Sequence, residues 1–143
     1  MEWKDEYSIG ILEIDNQHKL MLHSFSVIEE SIKFDQGWSK IHYAIVELTQ
    51  LARMHFSFEE AMMRMYAYPE SEAHLKEHQH FFEIIDNIER LSLKKLANIE
   101  MVQSLKDWLA MHMVRSDRGY AEHIFSGAPV VRSGVFAIAE VAA

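Results

Sequence analysis

The chain has 143 residues, 49% of them hydrophobic, which is typical of one domain built around a single buried core. Its formal net charge of −8 argues against nucleic acid as a partner, because a phosphate backbone requires clustered Lys and Arg. The absence of cysteine excludes disulfides, thiolate metal sites and thiol nucleophiles, so His, Asp and Glu are the only strong metal ligands in the sequence.

Hydrophobic residues recur at helical spacing in four segments, while Gly and Pro fall almost wholly between or beyond them. After an irregular leader, residues 1–14, the first helix is predicted from about Asn16 to Gln36. Asp15 or Asn16 is its expected N-cap, and its apolar stripe includes His18. This stripe places one imidazole on the face that packs into the core.

The second helix is predicted to start near Ser39 and to end before Pro69, because proline interrupts a helix. Its inner stripe carries a histidine and a carboxylate, His55 and Glu59, among apolar residues. Two potential metal ligands therefore face the core from one helix.

Pro69 suits the first turn of a third helix that runs to about Leu91 and turns His74 and His78 inward. A fourth helix, capped by Asn98, is expected to end near Ser126, before Gly127 and Pro129. Near its end this helix carries the last two ligand candidates, which are His112 and Asp117.

Four long helices with short connections predict an all-α, antiparallel up-down-up-down four-helix bundle over residues 1–126. Residues 127–143 form an apolar tail that Gly and Pro interrupt. No apolar run reaches 18 residues, and the N-terminus lacks the pattern of a secretion signal. We therefore expect no membrane insertion and a cytoplasmic location.

The spacing of the candidate ligands indicates a shared site. Residues four apart lie about 40° apart on an α-helix, so His55 and Glu59 can converge. His112 and Asp117 are five apart, about 140° in a regular helix, so we predict a one-residue π-bulge between them. In a regular helix Asp117 would have to reach sideways instead. The same four-residue spacing aligns the third-helix pair, His74 and His78.

The alternative interpretation is that these residues are ordinary buried polar groups with no metal. A lone histidine on an apolar stripe is usually a hydrogen-bonded core residue. Five imidazoles and two carboxylates in one cross-section would instead leave many polar groups unpaired, each costing about 1 to 3 kcal/mol. A metal site is therefore favoured. Zinc is disfavoured because it prefers four ligands in a tetrahedral site.

With these motifs the sequence resembles the hemerythrin family from about residue 3 to residue 120, and all seven expected ligand positions are filled. The matching residues are Trp3, Gly10, Asp15-Asn16-Gln17-His18-Lys19, His55-Phe56, Glu59-Glu60, Tyr68-Pro69, His74, His78, Trp108-Leu109, His112, Asp117 and Tyr120.

The resemblance implies a cofactor of two iron ions joined by an oxo or hydroxo bridge. One iron would be held by His74, His78 and His112 and the other by His18 and His55, while Glu59 and Asp117 would bridge both. Dioxygen is expected at an open position of the two-histidine iron. An apolar lining should protect it, and the candidates for that lining are Met21, Phe56, Leu109 and Met113, which are otherwise ordinary core residues.

The leading functional hypothesis is a non-catalytic carrier that binds dioxygen reversibly for storage, delivery or scavenging. Imidazole-rich ligation favours this over the ferritin-like di-iron proteins, which use four glutamates and two histidines. A di-iron peroxidase or nitric oxide reductase is the enzymatic alternative. A sensing module that acts through a protein partner is the third.

Overall fold

The computed structural model describes residues 2–127, which form four helical rods and contain no strand. The all-α four-helix bundle predicted from the sequence is confirmed. A short 3-10 turn comes first, and the last rod has three consecutive segments. The elements are the turn Asp5–Tyr7, α1 (Leu12–Lys33), α2 (Trp38–Met65), α3 (Ser71–Leu93), α4 (Ile99–His112), the π-helical segment (Met113–Asp117) and α5 (Arg118–Phe125).

Each helix packs against its neighbours in the chain, and α4 also packs against α1, which closes the bundle. Two clusters of buried apolar side chains fill the interior. The larger contains Phe25, Phe81 and Ile85, and the smaller contains Ile14 and Tyr120. Each fully buried side chain of this kind contributes about 1.5 to 3 kcal/mol, so these clusters supply most of the driving force for folding.

The first helix begins earlier than the sequence predicted, at Leu12 rather than near Asn16, so residues 12–14 belong to it and not to the leader. The early start is explained by hydrogen bonds of Asp15 that the spacing of apolar residues does not reveal. The carboxylate of Asp15 accepts a hydrogen bond from the Ser8 hydroxyl at 2.5 Å and one from the Ile9 backbone N–H at 3.0 Å. Asp15 therefore fastens the leader to α1 instead of capping it.

Two positions beyond the last residue of each of the first three helices lies a non-glycine residue in the left-handed region. These residues are Asp35, Ala67 and Lys95, with φ of 48°, 49° and 60°. In α1 the Gln36 N–H then reaches back to the Ser31 carbonyl at 3.0 Å, which is the Schellman pattern. The loops are short as a result, and they hold sequential helices antiparallel.

Of the two later helices, α4 starts as the sequence predicted and α3 does not. Asn98 caps α4 as predicted, because its side chain accepts a hydrogen bond from the Met101 N–H at 3.0 Å. Pro69 lies in the turn before α3, which begins at Ser71, so the prediction that Pro69 opens this helix is wrong.

No helix in the described part of the chain combines the length and the apolar character needed to cross a membrane. The predicted tail, residues 127–143, lies outside the described residues except for Gly127.

Candidate metal centre

The structure brings all seven candidate ligands together at one depth of the bundle. Each is almost completely buried, with at most 3% of its surface exposed. They come from all four rods: His18 from α1, His55 and Glu59 from α2, His74 and His78 from α3, His112 from α4 and Asp117 from the π-helical segment.

The site lies between the two apolar clusters. Along α1, His18 separates Ile14 of the smaller cluster from Met21 of the larger one. In the last rod, Asp117 separates Tyr120 of the smaller cluster from Met113 of the larger one. Apolar packing on both sides therefore excludes bulk water from the polar layer.

The π-bulge predicted between His112 and Asp117 is confirmed. Met113–Asp117 forms one π-helical turn between α4 and α5, and its backbone stays close to helical angles at both ends. Because a π-helix pairs residues five apart, this turn brings the carboxylate of Asp117 under the ring of His112. Their closest atoms, Oδ1 and Nε2, are 3.0 Å apart.

The donor atoms form two groups in which every atom lies within 4.8 Å of the others. Glu59 and Asp117 belong to both groups. The larger group adds His74, His78 and His112, and the smaller adds His18 and His55. This arrangement suits two cations that share two carboxylates.

Asp117 spans the two groups with its two oxygens. Its Oδ2 lies 2.9 Å from Nε2 of His18, and its Oδ1 lies 3.0 Å from Nε2 of His74. Glu59 contacts both groups through Oε1, which is 3.2 Å from Nε2 of His55 and 3.2 Å from Nε2 of His78. Both carboxylates therefore face imidazole nitrogens on two sides.

The chemistry of these atoms fits bound cations. Among the described residues, eleven buried side-chain N or O atoms have no hydrogen-bond partner, and ten of them belong to the seven ligand candidates. All five Nε2 atoms are in this set. Unpaired buried polar atoms cost free energy, and cations at the centre of the layer would satisfy eight of the ten, which are the five Nε2 atoms, Oε1 of Glu59 and both oxygens of Asp117.

The outward nitrogens fix the tautomer of two rings. Nδ1 of His55 lies 2.7 Å from Oε1 of Gln17, and Nδ1 of His78 lies 2.8 Å from Oε2 of Glu60. These oxygens can only accept, so each Nδ1 carries the proton and donates it. With Nδ1 engaged outward in this way, Nε2 is the nitrogen that would direct its lone pair into the site when a cation binds, as a metal ligand requires.

Both carboxylates are ionised at neutral pH. Burial and the neighbouring Asp117 would raise the pKa of Glu59, but its contacts with His55 and His78 lower that pKa to about 2. Burial would likewise raise the pKa of Asp117, whereas His112, His18 and His74 hold it well below its usual range. Two negative charges therefore sit in a layer without bulk water, where cations would neutralise them.

Tyr120 belongs to the site although the sequence placed it only in the family pattern. Its hydroxyl donates a 2.5 Å hydrogen bond to Oε2 of Glu59. Burial, together with the charge of Glu59, raises the pKa of Tyr120 well above its usual range, so the phenol stays a donor. This bond fixes the carboxylate and leaves Oε1 for the metal layer.

The four predicted dioxygen-pocket residues, Met21, Phe56, Leu109 and Met113, are all buried in the larger apolar cluster. Phe56 stacks on the ring of His78 with centroids 3.9 Å apart and lies 5.3 Å from that of His55. An apolar wall therefore touches ligand histidines of both groups. The role of these residues as a dioxygen pocket stays a prediction.

Histidines outside the seven lie elsewhere. His23 and His80 are exposed. His42 is half-buried, and its Nδ1 lies 2.7 Å from the Ser92 hydroxyl. Nε2 of His123 lies at hydrogen-bond distance, 2.8 Å, from the Tyr66 carbonyl oxygen, away from the metal layer.

Comparison with known proteins adds independent information. Residues 10–124 match the family model described as the hemerythrin HHE cation binding domain. The chain is 30% identical to a bacteriohemerythrin of Clostridium acetobutylicum over 84% of this chain and 98% of that protein. It is 32% identical to a bacteriohemerythrin of Pseudomonas aeruginosa over 85% and 80%, respectively. A myohemerythrin of Theromyzon tessulatum is 24% identical over 83% and 89%. No solved structure gives a significant match.

Proposed function

Because the chain belongs to the hemerythrin family, we propose that it is a non-heme di-iron protein that binds dioxygen reversibly and serves oxygen storage, delivery or scavenging. The observation that carries this proposal is the pair of buried donor groups that share Glu59 and Asp117. A shared pair of carboxylates supports two ions held side by side, which a two-electron interaction with dioxygen needs.

In this proposal His74, His78 and His112 would hold one iron, His18 and His55 would hold the other, and Glu59 and Asp117 would contribute to both. The contacts of Asp117 with histidines of both groups support a bridging role. The smaller group offers one histidine fewer. This half would therefore have room for dioxygen.

Two iron ions held there would supply the electrons for reversible oxygen binding. The chain's own residues orient and protect that chemistry. Gln17 and Glu60 keep the Nε2 lone pairs of His55 and His78 pointing inward. Tyr120 fixes Glu59 by a hydrogen bond. The apolar clusters on both sides exclude the water that would promote loss of bound oxygen.

We propose a carrier rather than an enzyme because the ligand set contains only two carboxylates. Fewer anionic ligands stabilise highly oxidised iron less than the four glutamates of ferritin-like sites do. Dioxygen is the proposed partner. The cytoplasmic location and the absence of a nucleic-acid partner stay predictions from the sequence.

The decisive experiment is to reduce the iron-loaded protein without air and then expose it to oxygen. We expect two irons per chain and a visible charge-transfer band that appears with oxygen and vanishes under vacuum. Prompt irreversible oxidation, or steady turnover of peroxide, would instead support an enzyme. Iron analysis that gives a different stoichiometry would contradict the di-iron proposal.

Leu109→Ala tests the pocket. Leu109 is fully buried, and truncation of its side chain opens space that water can enter. We expect unchanged iron content and oxygenated protein that autoxidises faster, by about tenfold if the barrier falls by about 1.4 kcal/mol. Leu93→Ala, at an exposed leucine of α3, is the control and should leave the rate unchanged. An unchanged autoxidation rate in Leu109→Ala would refute the pocket assignment.

A further inference from the structure

In each of three successive helices, one ligand histidine has a side chain from the preceding helix close to its Nδ1, the ring nitrogen that faces away from the site. In each case that residue is the sequence neighbour of a ligand. Gln17 precedes His18 and approaches His55; Glu60 follows Glu59 and approaches His78; Glu77 precedes His78 and approaches His112.

The three approaches differ in length. Gln17 and Glu60 accept true hydrogen bonds from Nδ1 of their histidines, at 2.7 and 2.8 Å. Glu77 stays 3.6 Å from Nδ1 of His112, which is beyond hydrogen-bond distance. It is held there by the Ser116 hydroxyl, which donates to the same oxygen at 2.7 Å from the π-helical segment.

The three outer residues also differ in charge, and the charged ones lie on the side of only one of the two donor groups. Both carboxylates, Glu60 and Glu77, face histidines of the larger group. The smaller group has the neutral amide of Gln17 against His55, and Nδ1 of His18 has no hydrogen-bond partner. A carboxylate acceptor draws the Nδ1 proton more strongly than an amide does, so it makes the opposite nitrogen a stronger electron donor.

We propose that Glu60 and Gln17 are positioning residues that make the two halves of the centre electronically unequal. Glu60 makes the half with His78 favour the higher oxidation state, and Gln17 leaves the half with His55 easier to reduce. Glu77 adds a more distant negative charge to the half that contains His78 and His112. This inference rests on the proposed di-iron function and specifies how the two irons differ.

The consequence is an order of oxidation. With iron bound, an external one-electron oxidant such as ferricyanide would take the first electron from the half with His74, His78 and His112, and would itself become ferrocyanide. The second electron would leave the half with His18 and His55 at a higher potential. The half with room for dioxygen therefore stays ferrous longest.

The test exchanges the two acceptors in the full-length, iron-loaded protein. Glu60→Gln and Gln17→Glu change charge with little change in shape. Anaerobic spectroelectrochemistry then measures the two one-electron midpoint potentials. We expect Glu60→Gln to raise the lower midpoint potential and Gln17→Glu to lower the upper midpoint potential. Each shift should be about 59 mV, which corresponds to a tenfold change in the Fe(III)/Fe(II) ratio. Either change narrows the gap between the two steps.

Matched controls carry the same charge changes away from the site. Glu47→Gln and Gln50→Glu alter exposed residues of α2 and should leave the gap between the potentials unchanged. Two outcomes would overturn the proposal. One is that the midpoint potentials of Glu60→Gln and Gln17→Glu stay within the range of the control variants. The other is that both variants shift their potentials in the same direction.

A second measurement does not depend on iron or oxygen. In protein loaded with zinc(II) alone, proton–nitrogen NMR of His78 should show a strongly downfield Nδ1 proton that moves upfield in Glu60→Gln. An unmoved signal would overturn the assigned hydrogen bond even if reversible oxygenation had been demonstrated. Should Glu60→Gln fail to retain metal, Gln17→Glu must still lower the upper potential, and its failure to do so would overturn the proposal.

Discussion

Removal of the metal should lower the thermal unfolding midpoint by about 10–20 °C, because binding at a thousandfold excess over Kd contributes about 4 kcal/mol to a domain of this size. The physical reason is the eight unpaired polar atoms that face the ligand layer, which are the five Nε2 atoms, Oε1 of Glu59 and both oxygens of Asp117. Without cations they must be desolvated at a cost, and two buried carboxylates lose their positive partners.

Calorimetry of the reduced protein before and after anaerobic chelation measures this shift. Addition of ferrous iron to the stripped chain should restore the original midpoint. His23→Ala, at an exposed histidine of α1, is the control and should show the same shift on chelation as the unaltered protein. A midpoint that does not respond to chelation would mean that the layer is stable without metal.

Asp117→Asn should abolish binding of both irons, whereas most single ligand changes affect one half first. Asp117 belongs to both donor groups and directs Oδ2 to His18 and Oδ1 to His74 and His112. Asparagine has nearly the same shape but no charge and only one strong acceptor, so it cannot bridge two cations. Iron per chain is expected to fall from two to near zero.

His74→Ala provides the comparison for this prediction, since His74 lies only in the larger group. It should lose metal from that half first and also lower the unfolding midpoint, because metal binding is coupled to folding. Iron analysis together with circular dichroism separates loss of metal from loss of fold. Two irons retained in folded Asp117→Asn would contradict the bridging role.

The sequence predicted the distortion of the last rod because two chemical requirements conflicted with helical geometry. His112 and Asp117 both had to face the core, yet they are five positions apart, so either a π-helical turn aligns them or Asp117 reaches sideways from a regular helix. The structure has that turn at Met113–Asp117. Spacing of polar residues on an apolar background is thus sufficient to locate an irregularity.

Helix boundaries depended on contacts that the periodic pattern does not include. The start of α1 at Leu12 follows from the bonds of Asp15 with Ser8 and Ile9, which form only when the leader folds back. The end of α2 uses Ala67 in the left-handed region, a role for which glycine is the usual signal. Side-chain periodicity does not report either feature.

The outer hydrogen-bond partners were missed for a different reason. Gln17 and Glu60 look like ordinary partly exposed residues, and each lies on a helix other than the one whose histidine it contacts. The available signal was their position beside a ligand in the sequence. Adjacent residues on a helix point about 100° apart, so the neighbour of an inward ligand can face the adjoining helix.

The order of the rods along the chain has a consequence for biosynthesis. A nascent polypeptide that has left the ribosome through α2 already carries His18, His55 and Glu59, yet Asp117 arrives only with the last rod. Both donor groups include that carboxylate. Neither group is complete when only α1 and α2 have formed, so we expect iron to bind fully only after the last rod docks against the other three.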